Sequence, residues 1–171
     1  MENADRKDYD DLLRRYLPAL RRLTASYLST NYERDDLLQE IALGLWTALP
    51  RFRGEASERT WLYRIAHNTA ISFVTRRKRQ TDREQAETSA DSAGTAPNPE
   101  STMIEGQERA RLSAAVQKLP LTDRQVVVLH FEGLSAVEIA DVTGLSPGNV
   151  ATRLTRARQK LVARLRRGEP V

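Results

Sequence analysis

Cysteine is absent from the 171 residues, so the chain has no disulfide framework, no thiolate metal site and no cysteine nucleophile. No apolar run approaches the roughly 20 residues needed to span a bilayer, and the polar, charged stretch from Met1 to Asp11 is unlike a signal peptide. These absences predict a cytoplasmic protein without membrane insertion. No stretch suggests a strand. Two histidines occur, His67 and His130, with no Ser, Cys or Asp patterned around them as a triad or ligand set would require. Surface or interface roles are expected for both. Acid is missing from Leu145 to Gly168, where Arg153, Arg156, Arg158, Lys160, Arg164, Arg166 and Arg167 all fall. Such a run suits a phosphate backbone.

What is present is helical patterning with a basic surplus. A sequence pI near 9.7 points to nucleic acid or an acidic protein surface as partner. Counted by segment, residues 1–79 carry 15 basic and 11 acidic side chains, residues 80–105 carry 1 and 6, and residues 106–171 carry 11 and 6. Two basic blocks therefore flank an acidic one.

The most informative stretch is Leu134 to Arg167. Ser135 with Glu138 three residues on is a capping box, and Ile139 and Val142 fall on the inner face of the helix it opens. Gly144-Leu145 can supply a left-handed turn, and Ser146-Pro147 an N-cap and first-turn proline for a second helix. The pattern is a helix-turn-helix. In its second helix Val150, Leu154, Ala157, Leu161 and Leu165 share one stripe, the expected buried side. Opposite lie Gly148, Thr152, Thr155 and Gln159, flanked by Asn149, Ala151 and Arg156. Short or hydrogen-bonding side chains suit a helix that approaches base edges in a major groove.

From the start of the chain, Leu12, Leu13, Tyr16, Leu17, Leu20, Leu23, Tyr27 and Leu28 follow helical spacing, with a kink or break expected at Pro18. A second helix is expected to begin near Asp35 or Asp36 and run to about Leu49. Leu37, Leu38, Ile41, Ala42, Leu45, Trp46 and Leu49 form its apolar face, and Asp36, Gln39, Glu40, Leu43 and Thr47 its outer one. Asp36 and Glu40 could share a hard cation, but nothing elsewhere completes the coordination with recognisable spacing. A long helix, preceded by Ala56 or Ser57, is expected to run to about Arg79, with Leu62, Ile65, Ala66, Thr69 and Phe73 buried. Its flank carries Trp61, Arg64, Asn68, Ser72 and Thr75, and its Arg76-Arg77-Lys78-Arg79 end could grip DNA.

Periodicity disappears from about Gln80 to Met103. Within that stretch Thr88 to Thr102 is mostly Ser, Ala, Thr, Pro and Gly with a few acids and no aromatic residue, which cannot offset the entropy of ordering. Periodicity resumes from Ile104 to Lys118. After Leu119-Pro120-Leu121, Thr122-Asp123 is expected to cap a helix carrying Val126, Val127, Leu129 and His130. The expected fold is all-α: a helical domain at 1–79, a flexible acidic linker at 80–104 and a helix-turn-helix domain at 105–171.

Three separated segments then look familiar. They are Asp35-Asp36-Leu37-Leu38-Gln39-Glu40-Ile41; Phe52-Arg53-Gly54-Glu55 with Thr60-Trp61-Leu62-Tyr63-Arg64-Ile65-Ala66-His67-Asn68; and Leu119-Pro120 through Glu132-Gly133-Leu134-Ser135 to Arg153-Leu154-Thr155-Arg156-Ala157-Arg158. With them the chain resembles the small extracytoplasmic-function sigma factors of bacterial RNA polymerase. The resemblance implies a sigma region two in the first lobe, a region four in the second and no region three between them. It implies that Asp36, Gln39 and Glu40 contact core polymerase, and that the linker threads toward the RNA exit path. Arg64, Asn68, Ser72, Arg76 and Arg77 would engage the minus-ten element, with a flipped base captured near Asn68. Asn149, Ala151, Thr152, Arg153, Thr155, Arg156 and Arg158 would engage the minus-thirty-five element. The family often has Lys or Arg before the Ser-Arg pair of this helix. Here Ala151-Thr152-Arg153 stands there, which shifts base readout toward Thr152, Thr155 and Arg156.

The implied function is promoter selection and opening by core polymerase bound to this chain. Core RNA polymerase, promoter DNA and an anti-sigma factor are the implied partners. Catalytic residues, cofactors and a small-molecule substrate are not expected. Two rival readings follow from the residues: a helix-turn-helix activator with an N-terminal sensor lobe, and a metal-dependent helical enzyme using Asp36 and Glu40.

Overall fold

The computed structural model of the chain describes residues 2–87 and 103–167. All its regular structure is helical: α1 (Glu2–Tyr27), α2 (Asn31–Ala48), a 3₁₀ turn (Leu49–Arg51), α3 (Glu58–Glu87), α4 (Met103–Gln117), α5 (Leu121–Phe131), α6 (Ala136–Thr143) and α7 (Pro147–Arg167). No described helix is long and apolar enough to cross a membrane. Two compact units emerge, one from residues 2–55 with 65–87, the other from residues 56–64 with 103–167.

In the first unit α1 is continuous through Pro18, without the break its sequence suggests. Pro18 is exposed, so the Arg14 carbonyl it leaves unpaired can face water, while Leu12, Leu20 and Leu23 bury on both sides of it. Helix α2 begins four residues before Asp35. Thr30 accepts from the Glu33 backbone amide and donates to the Glu33 carboxylate at 2.8 Å, a reciprocal cap that wins over the later aspartates. Leu37, Ile41 and Leu45 of α2 are fully buried. The Tyr9 hydroxyl donates to the Ala42 carbonyl at 3.0 Å and its ring meets Trp46 edge-on, tying α1 to α2. At Gly44 a Cβ would lie 3.3 Å from Ile65 Cγ2, so the missing side chain lets α3 pack close.

Ala66, His67, Ala70 and Phe73 form the buried side of α3 here, and Ile65 and Thr69 are only half-buried. His67 is thus a core residue, contrary to the surface or interface role expected for it. Its Nδ1 lies 3.4 Å from the Tyr27 hydroxyl, and burial pushes its pKa from 6.5 down to about 4. His130 is exposed. Helix α3 also continues eight residues past Arg79. Thr81–Glu87 carries no apolar stripe, but its residues propagate a helix already nucleated upstream. The remainder of the expected linker, 88–102, lies outside the described residues.

The second unit packs α4, α5 and α6 around α7. Leu119, Val126, Leu129, Leu134, Ile139 and Val142 are buried with Val150, Ala157 and Leu161 of α7. Leu154 is half-buried and Leu165 is 45% exposed, so the apolar stripe loosens toward the end of α7. Pro120, without a side-chain cap, precedes α5. Asp123, expected to cap this helix, is instead turned into the unit and buried.

Candidate nucleic-acid interface

The helix-turn-helix is built as its residues dictate. The Ser135 hydroxyl accepts from the Glu138 amide at 3.2 Å and the Ser135 amide donates to Glu138 Oε2 at 2.8 Å, completing the capping box. The Ser135 backbone bond, then its side chain and Arg59, draw the Glu138 carboxyl from 4.5 down to about 2. Gly144 ends α6 with φ of 74°, a left-handed conformation that favours glycine. Ser146 accepts from the Asn149 amide at 3.3 Å, and Pro147 opens α7.

On α7, Asn149, Ala151, Thr152, Thr155, Arg156 and Arg158 are exposed. The Thr152 hydroxyl donates to Gly148 O at 2.9 Å and that of Thr155 to Ala151 O at 3.0 Å. With each proton spent on the helix backbone, the two threonines offer acceptor lone pairs and a methyl group. Those groups suit an exocyclic amine or a thymine methyl. Arg156 stands on one flank of this row. Arg158 stands on the other, beside an apolar groove lined by Val127, His130, Phe131, Leu154 and Leu161. Arg153 differs from its neighbours: it is half-buried, and its Nη1 donates to Asp123 Oδ1 at 2.8 Å.

In the first unit Asn68, Ser72 and Arg76 recur every four residues, exposed along one face of α3. That face continues into an open groove of about 720 Å³ lined by Ile71, Ser72, Thr75, Arg76, Arg79, Gln80 and Arg83. Arg83 was missed in the sequence because the helix was expected to stop before it. The only signal for it is the absence of a helix breaker between Arg79 and Glu87. Arg76 stacks 5.4 Å from the Phe73 ring centre and donates to Glu40 at 2.5 Å, and Arg77 pairs with Glu33. Arg64, expected on the same DNA face, belongs to the second unit, where it pairs with Asp141 at 2.5 Å.

On α2 Gln39, Leu43 and Thr47 are exposed, Leu43 to 65%, and Asp36 and Glu40 are half-exposed. A polar row around an exposed leucine suits a protein partner.

Two known sequence families match in chain order: Sigma-70 region 2 over residues 12–80 and Sigma-70, region 4 over residues 109–161. Along nearly its whole length the chain is 31% identical to the RNA polymerase sigma-H factor of Pseudomonas aeruginosa, covering 94% of this chain and 88% of that protein. The ECF RNA polymerase sigma-E factor of Escherichia coli K12 is equally similar, at 31% identity over the same shares. The chain belongs to the extracytoplasmic-function sigma factors. Among solved structures, CnrH in complex with the cytosolic domain of CnrY superposes with a TM-score of 0.69 at 28% identity, over 96% of this chain and 91% of that one. The sigma factor RpoE of Bartonella quintana, in complex with the anti-sigma factor NepR, superposes with a TM-score of 0.75 over 94% and 98%. At 24% identity that likeness bears on the fold. As a sigma factor this chain serves transcription initiation, directing RNA polymerase to promoters.

Proposed function

We propose that Asp36, Gln39 and Glu40 on α2 dock the sigma factor on core RNA polymerase. The face of α3 then engages the minus-ten element and α7 the minus-thirty-five element. The working lobes are 1–79 and 105–171, joined by 80–104, of which 80–87 continue α3. Asn68 captures an unstacked base through its amide, and Ser72, Arg76 and Arg77 hold the adjacent backbone. Arg79 and Arg83 extend that cationic face.

On α7, Thr152, Thr155 and Arg156 read base edges, while Asn149, Ala151 and Arg158 lie against the backbone and groove walls. The observation that carries this reading is the acid-free α7, whose hydroxyls and guanidinium face water on a helix-turn-helix capped at both ends of α6 and at the start of α7. None of these steps makes or breaks a covalent bond, so the sigma factor works without a catalytic group of its own. It acts in the cytoplasm, and an anti-sigma factor holds it inactive there, by analogy with RpoE in complex with the anti-sigma factor NepR.

Run-off transcription with purified core polymerase on genomic fragments tests this function. Transcripts that depend on the chain and start downstream of one shared pair of upstream elements are expected. Transcription unchanged by adding the chain would refute it.

A further inference from the structure

Among the described residues of the second unit Asp123 is the most deeply buried acid, at 6% exposure. A carboxylate so far from water is strongly disfavoured unless both oxygens are paired. Here Oδ1 accepts from Arg153 Nη1 at 2.8 Å and Oδ2 from Lys160 Nζ at 3.3 Å. Arg153 and Lys160 are seven residues apart, two turns along the same side of α7. Asp123 itself sits in the first turn of α5, where the helix dipole favours an anion. The post is rigid: Arg124, beside it, donates to the carbonyls of Gln117 and Leu119 and holds the turn that opens α5.

The apolar contacts of Val150, Ala157 and Leu161 choose which side of α7 faces inward. Two cationic anchors on one carboxylate add a directional constraint on its slide and roll. The carboxylate is buried while Arg153 and Lys160 keep 33% and 48% of their side-chain surface, so the cluster adds little net stability, and its best-attested use is to fix register. Thr152 adjoins one anchor and Arg156 follows it by three residues, so a small shift in α7 moves both off their targets.

We propose that Asp123 is a positioning residue for promoter recognition, setting the register and roll of α7 through Arg153 and Lys160, and that Arg153 acts through Asp123 rather than by touching DNA. This rests on the reading of α7 as the promoter helix.

The test uses holoenzyme reconstituted from the full chain and core polymerase. Its probes are duplexes enriched from a randomised library by the wild-type holoenzyme, with scrambled duplexes as reference. Asp123→Asn and Arg153→Gln are each expected to lower the preference for enriched over scrambled duplexes about tenfold, and the double variant no further than either one. Asp123→Glu recovers part of the loss. Arg153→Gln leaves the slope of log affinity against log salt unchanged, whereas Arg156→Gln lowers it by about 1.

A slope lowered by about 1 in Arg153→Gln, or single losses that multiply to about a hundredfold in the double, overturns the proposal and leaves α7 as the promoter helix. If Arg156→Gln and Thr152→Ala change neither slope nor preference, the reading of α7 fails and the proposal with it. Should Asp123→Asn not fold, the salt slopes of Arg153→Gln and Arg153→Lys decide the question alone.

Discussion

Arg76 on α3 donates to Glu40 on α2 at 2.5 Å, joining a proposed DNA contact to a proposed polymerase contact within one unit. Arg77 and Glu33 repeat the pairing between the same two helices. Arg76 and Glu40 keep 59% and 39% of their side-chain surface, so the pair contributes less than about 1 kcal/mol and opens readily to outside partners.

Glu40→Lys is expected to abolish run-off transcription with core polymerase while leaving the helical circular-dichroism signal intact. The milder pair of variants separates two roles. Glu40→Gln should weaken binding to core, and Arg76→Gln should spare it and weaken promoter opening. Identical behaviour of the two in a core-binding assay would mean that Glu40 serves only to hold Arg76.

Asn68 is exposed in the middle of the α3 face, with Ser72 and Arg76 following it at helical spacing. Asn68→Ala is expected to reduce open-complex formation, read by permanganate reactivity, more than closed-complex binding. Equal losses in both assays would contradict base capture.

His67 titrates against the fold. Its folded pKa, near 4, lies below the unfolded 6.5, so the unfolded chain binds the extra proton first. The first unit should therefore be fully stable with respect to this group above pH 6.5 and lose up to roughly 3 kcal/mol as pH falls toward 4. Urea midpoints of the wild type should fall across that window, and those of His67→Gln should fall less.

Glu138 has the shift of a capping carboxylate. Its folded pKa of about 2 lies under its ordinary 4.5, so its contribution is present above pH 4.5 and disappears as pH falls toward 2. Ser135→Ala should cost about 1 kcal/mol at neutral pH. The stability gap between wild type and Glu138→Gln should narrow across that acid window, and a gap independent of pH would remove the capping assignment.

The helix-turn-helix was legible because its punctuation is local: Ser135 with Glu138, Gly144 and Ser146-Pro147 each act within one turn of chain. The start of α2 was misread because Asp35 and Asp36 carry the same chemistry as a cap, and only the fold shows that Thr30 and Glu33 come first. The end of α3 was hidden because a helix without an apolar side leaves no periodic trace. Most telling are Asp123 and Arg153, thirty residues apart in the chain. The family resemblance put Arg153 among the DNA contacts, and no local pattern reports a partner supplied by another helix.

The central claim, that this chain works as a sigma subunit, is tested most directly by competition for core RNA polymerase. Purified chain, titrated into core pre-bound to a labelled housekeeping sigma factor, is expected to displace the label and form a one-to-one complex on gel filtration. An unchanged label signal at saturating chain, with no co-elution, would contradict the account.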